Sequence, residues 1–193
     1  AETTLTLEQG PVGGIAVAGQ DGGAAINYDV LLEQAAQFDF YDGGGLDVAF
    51  LSFAEVDQQG SVNVTRFGGR INGPGGFINI SQGAKRLVFC GTFTTGGREL
   101  AIGEGRLRIA REGRQRKLVA QVQEITFNGR FARERGQAVL VVTERAVFRL
   151  EAEGLRLLEV APGVNVERDV LAQMAFQPLV AEPVRLMAEA IFR

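Results

Sequence analysis

The alternation of Thr and Leu from Thr3 to Glu8 predicts a strand with Leu5 and Leu7 on one face. Glu8 then falls on the other face with Thr4 and Thr6, at the strand's carboxyl end. From Asn27 to Gln37 the spacing of Val30, Leu31 and Ala35 predicts a helix beginning at Asn27 or Asp29. Phe38 to Tyr41 reads as a short strand that stops at Asp42 and the glycines Gly43, Gly44 and Gly45. The unbroken apolar run Leu46 to Phe53 predicts a strand covered on both faces. A turn at Asp57 to Gly60 leads into a neighbouring strand, Ser61 to Arg66. Gly73-Pro74-Gly75-Gly76 opens a short helix over Phe77 to Gln82, and Arg86 to Phe93 reads as another buried strand.

The pattern changes from Glu99 onward. Glu99 to Ile102, Arg106 to Ala110 and Leu118 to Phe127 alternate and are joined by glycine turns, which predicts antiparallel strands. Ala138 to Thr143, Ala146 to Glu151 and Leu155 to Val160 continue that pattern, and Val166 to Phe176 and Glu182 to Phe192 read as helical. We therefore expect an α/β fold: an open, largely parallel sheet with flanking helices, an added antiparallel β meander and C-terminal helices. No repeat or linker divides the chain, so we expect one domain over 1–193. Its parts are an α/β segment (1–97), a β-rich meander (98–160) and terminal helices (161–193). Open α/β sheets bind ligands at the carboxyl ends of their strands. Glu8, Asp42 to Gly45 and the loop before Phe77 are expected there.

Composition narrows the chemistry. Glycine, 26 of 193 residues, stands at about twice its usual ~7%. It gathers in the loops just described, where its lack of a Cβ admits positive φ and close approach of a ligand to backbone. There is no histidine, so Ser-His and Cys-His nucleophilic systems are excluded within this chain. With one cysteine, a zinc site would need carboxylates almost alone, and we expect no metal. Cys90 lies in an apolar run and is read as a buried core thiol; its solitary state fits a reducing, cytoplasmic compartment. A net charge of -3 argues against nucleic acid, and the arginine-rich stretch Arg106 to Lys117 is read as a solvated hairpin face. No window approaches the ~18 apolar residues of a membrane span, and the start lacks the basic-then-apolar layout of a signal peptide. The chain opens at Ala1, almost directly with a strand, so we expect a processed subunit or a piece of a longer polypeptide.

Two motifs stand out in combination. Glu8-Gln9-Gly10-Pro11-Val12-Gly13-Gly14 has the form E-x-G-x-x-G-G, and Gly73-Pro74-Gly75-Gly76-Phe77 has the form G-x-G-G-F. Either alone is ordinary turn chemistry. Between them lies FDFYDGGGLDVAFLSFAEVDQQGSVNV; after them come INISQGAKRLVFCGTFTTGG, KLVAQVQEITFNGRFARERGQ, TERAVFRL and EVAPGVNVERDVL. This ensemble resembles the C-terminal, β-subunit-like half of the family I coenzyme A transferases, of the acetate, propionate and acetoacetate type. The resemblance runs through nearly the whole chain and is least over the residues from Phe176 on.

The resemblance implies the sugar-isomerase-like α/β scaffold of that family and assigns Glu8 as the nucleophile. Glu8 would pass through an acyl-glutamyl anhydride to a glutamyl-CoA thioester, with ping-pong kinetics. A glutamate side chain is ionised at neutral pH without a base to activate it, which removes the difficulty of the missing histidine. Each addition creates an oxyanion, for which backbone amides suffice. The resemblance places those amides at Gly75 and Gly76, with Gly76 preferred. Gly10, Gly13 and Gly14 would give steric room near the acyl-CoA. Asn27, Gly44 and Gly45 match family segments near the acyl and CoA sites, with turn or cap roles as the alternative. Asn79 and Gln82 are read as helix-surface groups, and Lys85 and Arg86 as surface charge rather than CoA-phosphate contacts. CoA enters as substrate, so no cofactor is implied. The implied partners are acyl-CoA, a carboxylate acceptor and an N-terminal α-like half, in a homo-oligomer of the whole enzyme. Two other readings remain open at this point: an acyl-CoA hydrolase on the same scaffold, and a non-catalytic ligand-sensing or assembly domain.

Overall fold

The computed structural model of the protein describes residues 3–193. Its centre is a six-stranded sheet built from β1 (Ala49–Leu51), β2 (Arg86–Cys90), β3 (Ala138–Val142), β4 (Ala146–Glu151), β5 (Gly154–Val160) and β6 (Leu179–Leu186). The strands lie side by side in chain order. β1, β2 and β3 run parallel, β3 to β5 form an antiparallel meander, and β6 returns parallel to β5. The expected α/β class with a largely parallel sheet is thus present. Of the expected meander, Ala138–Val142, Ala146–Glu151 and Gly154–Val160 extend that same sheet, whereas Glu99–Gly103 and Arg106–Arg111 form a separate two-stranded hairpin.

Three helices accompany the sheet: α1 (Gln34–Asp42), α2 (Phe77–Gly83) and α3 (Gly129–Glu134). Asn128 caps α3 by accepting from the Phe131 amide. The core gathers Phe77, Phe89, Phe127 and Phe148 with aliphatic residues of β2 to β5. Phe77 stacks on Phe89 with ring centroids 5.7 Å apart, and Phe127 meets Phe89 edge-on at 5.1 Å. Such pairs contribute about 0.5–1.5 kcal/mol beyond their burial. Among the described residues no helix is long and apolar enough to cross a membrane.

Several local expectations are overturned, each by a tertiary contact. Thr3 to Glu8 is not a strand; only Thr6 makes an isolated bridge, to Val12. Val30–Leu31 pairs antiparallel with Pro11–Val12, and Asn27 has φ 54°, so no helix can begin there. The helix instead runs over Gln34–Asp42, through the residues read as a strand, and Asp42 to Gly45 lie at a helix end rather than a strand end. β1 pairs with β2 alone, and alternation turns Ala49 inward and leaves Phe50 69% exposed, not covered on both faces. The same alternation along β2 buries Leu87 and Phe89 and leaves Cys90 exposed, correcting the buried-thiol reading. Leu118 to Phe127 keeps only Leu118–Val119 as strand. Helical structure near Val166 is limited to Val166–Val170 and Leu171–Gln173. Most of Glu182 to Phe192 is not helical, because Pro183 sits in β6, where an edge strand tolerates a missing donor that a helix interior would not.

The fully buried Arg145 ties the meander to the preceding hairpin. It donates two hydrogen bonds to Glu112 (2.6 and 3.1 Å), one to Glu144 (3.0 Å) and one to the Asp169 carbonyl (3.1 Å). Its guanidinium also lies over the Phe93 ring. Burial opposes ionisation of Glu112, but the bonds from Arg145, Thr94 and the Gly113 amide hold its carboxyl below the ordinary glutamate range. A depressed folded-state pKa gives stability that is complete above the unfolded value of about 4.3 and is lost as pH falls through the folded value. Arg145→Met should therefore cost roughly 3–5 kcal/mol at pH 7, since it leaves two carboxylates without their partner. The gap to the parent should narrow below about pH 4, read by urea unfolding at both pH values.

Candidate active site

Glu8 is presented by a tight turn. The Leu7 amide donates to the Pro11 carbonyl (2.9 Å), and the Gly10 amide closes the turn on Leu7 (3.0 Å). The chain then doubles back through Pro11–Val12 against Val30–Leu31. Gly10 has φ 117°, and a Cβ there would collide with the Leu32 carbonyl. Gly13 similarly leaves space for the Asp29 carboxylate, and Gly14 for the backbone of Ile26 to Tyr28. These three glycines shape the loop through close backbone contacts.

The second motif forms another turn. The Phe77 amide donates to the Pro74 carbonyl at 3.1 Å. Gly75 has φ 52° and Gly76 has φ -79° and ψ 1°, the combination of a type II′ turn, in which the first central residue is best a glycine. Gly76 precedes α2, so its own amide is not taken up by the helix. That amide donates to Glu8 Oε1 at 3.1 Å, joining residues 68 positions apart. A Cβ on Gly76 would lie 2.7 Å from Glu8 Cδ and 2.8 Å from Oε1, and would strike the Phe38 ring. A Cβ on Gly75 would stand 3.7 Å from Oε1, an ordinary contact.

Helix α1 braces the strand of chain that carries Glu8. Gln37, fully buried, donates from Nε2 to the Leu7 carbonyl (3.3 Å) and to the Tyr41 hydroxyl (2.7 Å). Tyr41 donates in turn to Thr6 Oγ1 at 3.0 Å. Gln37 and Tyr41 stand one helical turn apart, so both reach the same segment. The sequence reading separates these two residues, with Gln37 ending a helix and Tyr41 in a short strand, so their shared face does not show. The Gln37/Tyr41 spacing ahead of a glycine cluster was the available signal for a helix and its C-cap.

The remaining candidates are dispersed. Among the described residues no hydrogen bond links Asn27, Gly44 or Gly45 to Glu8. Asn27 occupies an exposed left-handed turn, and Gly44 (φ 81°) follows the end of α1, where its amide bonds to the Tyr41 carbonyl. Asn79 donates to both carboxylate oxygens of Asp42, linking α2 to the end of α1. Lys85 pairs with Asp47 at 2.8 Å on the surface, and Arg86 donates to the Asp47 carbonyl. Among the described residues no three His, Cys, Asp or Glu side chains cluster as a metal site requires.

No protein-family model matches the chain. It is 50% identical over 188 residues to the acetate CoA-transferase YdiF of Escherichia coli O157:H7, covering 97% of this chain and 35% of that protein. It is 41% identical over 196 residues to the caffeate CoA-transferase of Acetobacterium woodii, covering 99% of this chain and 37% of the relative. The chain thus spans about a third of the length of the curated relatives it matches. The crystal structure of the YdiF apoenzyme from E. coli O157:H7 superposes with a TM-score of 0.92 at 49% identity, over 98% of this chain and 36% of that one. A thioester complex of the same enzyme with CoA superposes equally well, at 0.92 and 48% identity over the same shares. Along nearly its whole length, the chain belongs to the family I coenzyme A transferases.

Proposed function

We propose that the chain is the β-like half of an acyl-CoA:carboxylate CoA-transferase, with Glu8 as its nucleophile. The observation that carries this reading is the Gly76 amide held 3.1 Å from Glu8 Oε1. A glutamate placed only for structure has no need of a loop kept free of side chains around its carboxylate.

Glu8 attacks the thioester carbonyl of acyl-CoA, and collapse of the tetrahedral adduct expels CoA thiolate and leaves an acyl-glutamyl anhydride. The thiolate then adds to the glutamyl carbonyl and expels the donor acid as its carboxylate. Glu8 is left as a CoA thioester, which an acceptor carboxylate converts back by the reverse sequence. In the second addition, negative charge develops on Glu8's own oxygen, and that is the atom the Gly76 amide faces. One such donor is worth about 100- to 1000-fold in rate. The thioester complex of the E. coli relative with CoA supports this route.

Gln37, Tyr41 and Thr6 act as positioning residues, fixing the backbone on which Glu8 rides. Tyr41→Phe removes the hydroxyl that joins Gln37 to Thr6. It should lower kcat roughly 10- to 100-fold through misplacement of the carboxylate, with KM little changed. Destabilisation should stay near 1–2 kcal/mol. Steady-state kinetics with a parallel melting curve separate the two effects; a loss of stability with unchanged kcat would overturn the positioning role.

The relatives' greater length supports a partner half, in the same or a separate chain, that completes the cleft around Glu8. Short-chain acyl groups are the proposed substrates, in keeping with the acetate enzyme among those relatives. The deciding assay uses the complete enzyme with acetyl-CoA, with and without a second carboxylic acid. Transfer strictly dependent on the acceptor supports the transferase. Equal CoA release without acceptor would instead mark a hydrolase.

A further inference from the structure

Lys117 ends the arginine-rich stretch that the sequence assigns to a solvated face, and it does not belong there. It is only 7% exposed, and its Nζ lies 4.0 Å from the centroid of the Phe53 ring. It lines a cavity of about 270 Å³ with Ser52, Phe53, Ala54, Val64, Phe67 and Thr95. The cavity opens where β1 ends, and the hairpin bearing Phe67 leads directly into the turn that holds Gly76.

Lys117, the cation that lines this cavity, has no anion of its own. Among the described residues Lys117 makes no ion pair. Glu144 is the carboxylate that attracts it, but both Glu144 oxygens are committed: Oε1 accepts from Arg145 at 3.0 Å, and Oε2 from the Phe93 amide at 2.9 Å. Arg98 lies close enough to repel Lys117, and the Arg98 Nε is buried with no hydrogen-bond partner. A buried cation is costly unless an opposite charge pairs with it, and an orphaned guanidinium N–H is costly until an acceptor meets it. Burial first, then the Arg98 charge, push the Lys117 pKa down to about 8, against the opposing pull of Glu144.

We infer that this cavity is a carboxylate-binding site, in which Lys117 receives the carboxylate of a small organic acid while its hydrocarbon part packs on Phe53 and Phe67. The apolar walls select an acid with a carbon chain over an inorganic anion. The volume, below the ~300–1,000 Å³ of drug-sized pockets, keeps it small. No step of the Glu8 chemistry uses Lys117, so the site stands or falls independently of the transferase reading.

The test is an NMR titration of the full-length protein labelled with [ε-¹³C]lysine, with the Lys117 resonance assigned by its loss in Lys117→Met. Without ligand the resonance should titrate near pH 8. Saturating butyrate should raise the midpoint by at least about one unit, as an opposite charge in contact does. Butyramide, which lacks the charge, should leave it in place. Arg98→Gln should raise the resting midpoint and keep the upward shift with butyrate, and circular dichroism checks that its fold is kept. Glu8→Gln should leave the response intact. No shift with butyrate, or an equal shift with sodium chloride or inorganic phosphate at matched ionic strength, would overturn the proposal.

Discussion

Glu8→Ala in the complete enzyme lowers kcat for CoA transfer by at least about 10,000-fold, the scale on which covalent nucleophiles fail when removed. The expectation follows from position as well as residue type. Among the described residues the Glu8 side chain accepts one hydrogen bond, the 3.1 Å contact from the Gly76 amide. It is partly exposed and has no ion-pair partner among the described residues. Removing it should change stability by less than about 1 kcal/mol, so a melting curve separates lost chemistry from lost fold. The covalent intermediate gives a second readout. Incubation with acyl-CoA should add the mass of CoA to the peptide containing Glu8, and borohydride should inactivate the enzyme only when acyl-CoA is present. Activity surviving in Glu8→Ala, or an adduct on another residue, would remove Glu8 from the mechanism.

The second large effect comes from a single methyl group. Gly76→Ala keeps the backbone amide but places a Cβ 2.7 Å from Glu8 Cδ, closer than real Cβ contacts come. The Phe38 ring edge and the Glu8 carboxylate must both shift, which moves the carboxylate off the amide. We expect kcat/KM to fall about 100- to 1000-fold, the cost of losing one oxyanion donor. Gly75→Ala makes the contrast. Its Cβ would sit 3.7 Å from Oε1, but φ 52° strains any residue with a side chain. It should cost about 1–2 kcal/mol of stability and retain more activity than Gly76→Ala. If the two variants lost activity equally, the amide facing Glu8 would not be the discriminating feature.

Legibility in the sequence follows the range of the interaction concerned. The buried strands β2 to β5 are readable because their alternation and length repeat within a few residues, and the sheet then only orders them. The glycine motifs are readable because positive φ at Gly10 and Gly75 is a local demand that only glycine meets cheaply. The region from Asn27 to Tyr41 is not. Its apolar spacing suits a helix, yet Val30–Leu31 is captured as strand by Pro11–Val12, and the helix forms nine residues of Gln34–Asp42 instead. Glu182 to Leu186, the second half of β6, reads as helix because its apolar spacing is ambiguous over so short a span, although Pro183 speaks against it. Gln37 and Tyr41 were missed for the same reason: their role exists only once α1 lies against the turn carrying Glu8.

What the sequence determined by itself was the α/β class, most of the central strands, and two bare loops of which one carries a carboxylate. Each depends on backbone preference and near-neighbour periodicity, which are written locally. The tertiary structure alone decided that the Gly76 amide stands 3.1 Å from Glu8 Oε1, that Arg145 is fully buried, and that Lys117 turns from a basic surface run into a cavity beside Phe53. Those outcomes are contests over long-range burial and pairing, where the desolvation of a charge is set by partners dozens of residues away. No local pattern of charge or hydropathy encodes them.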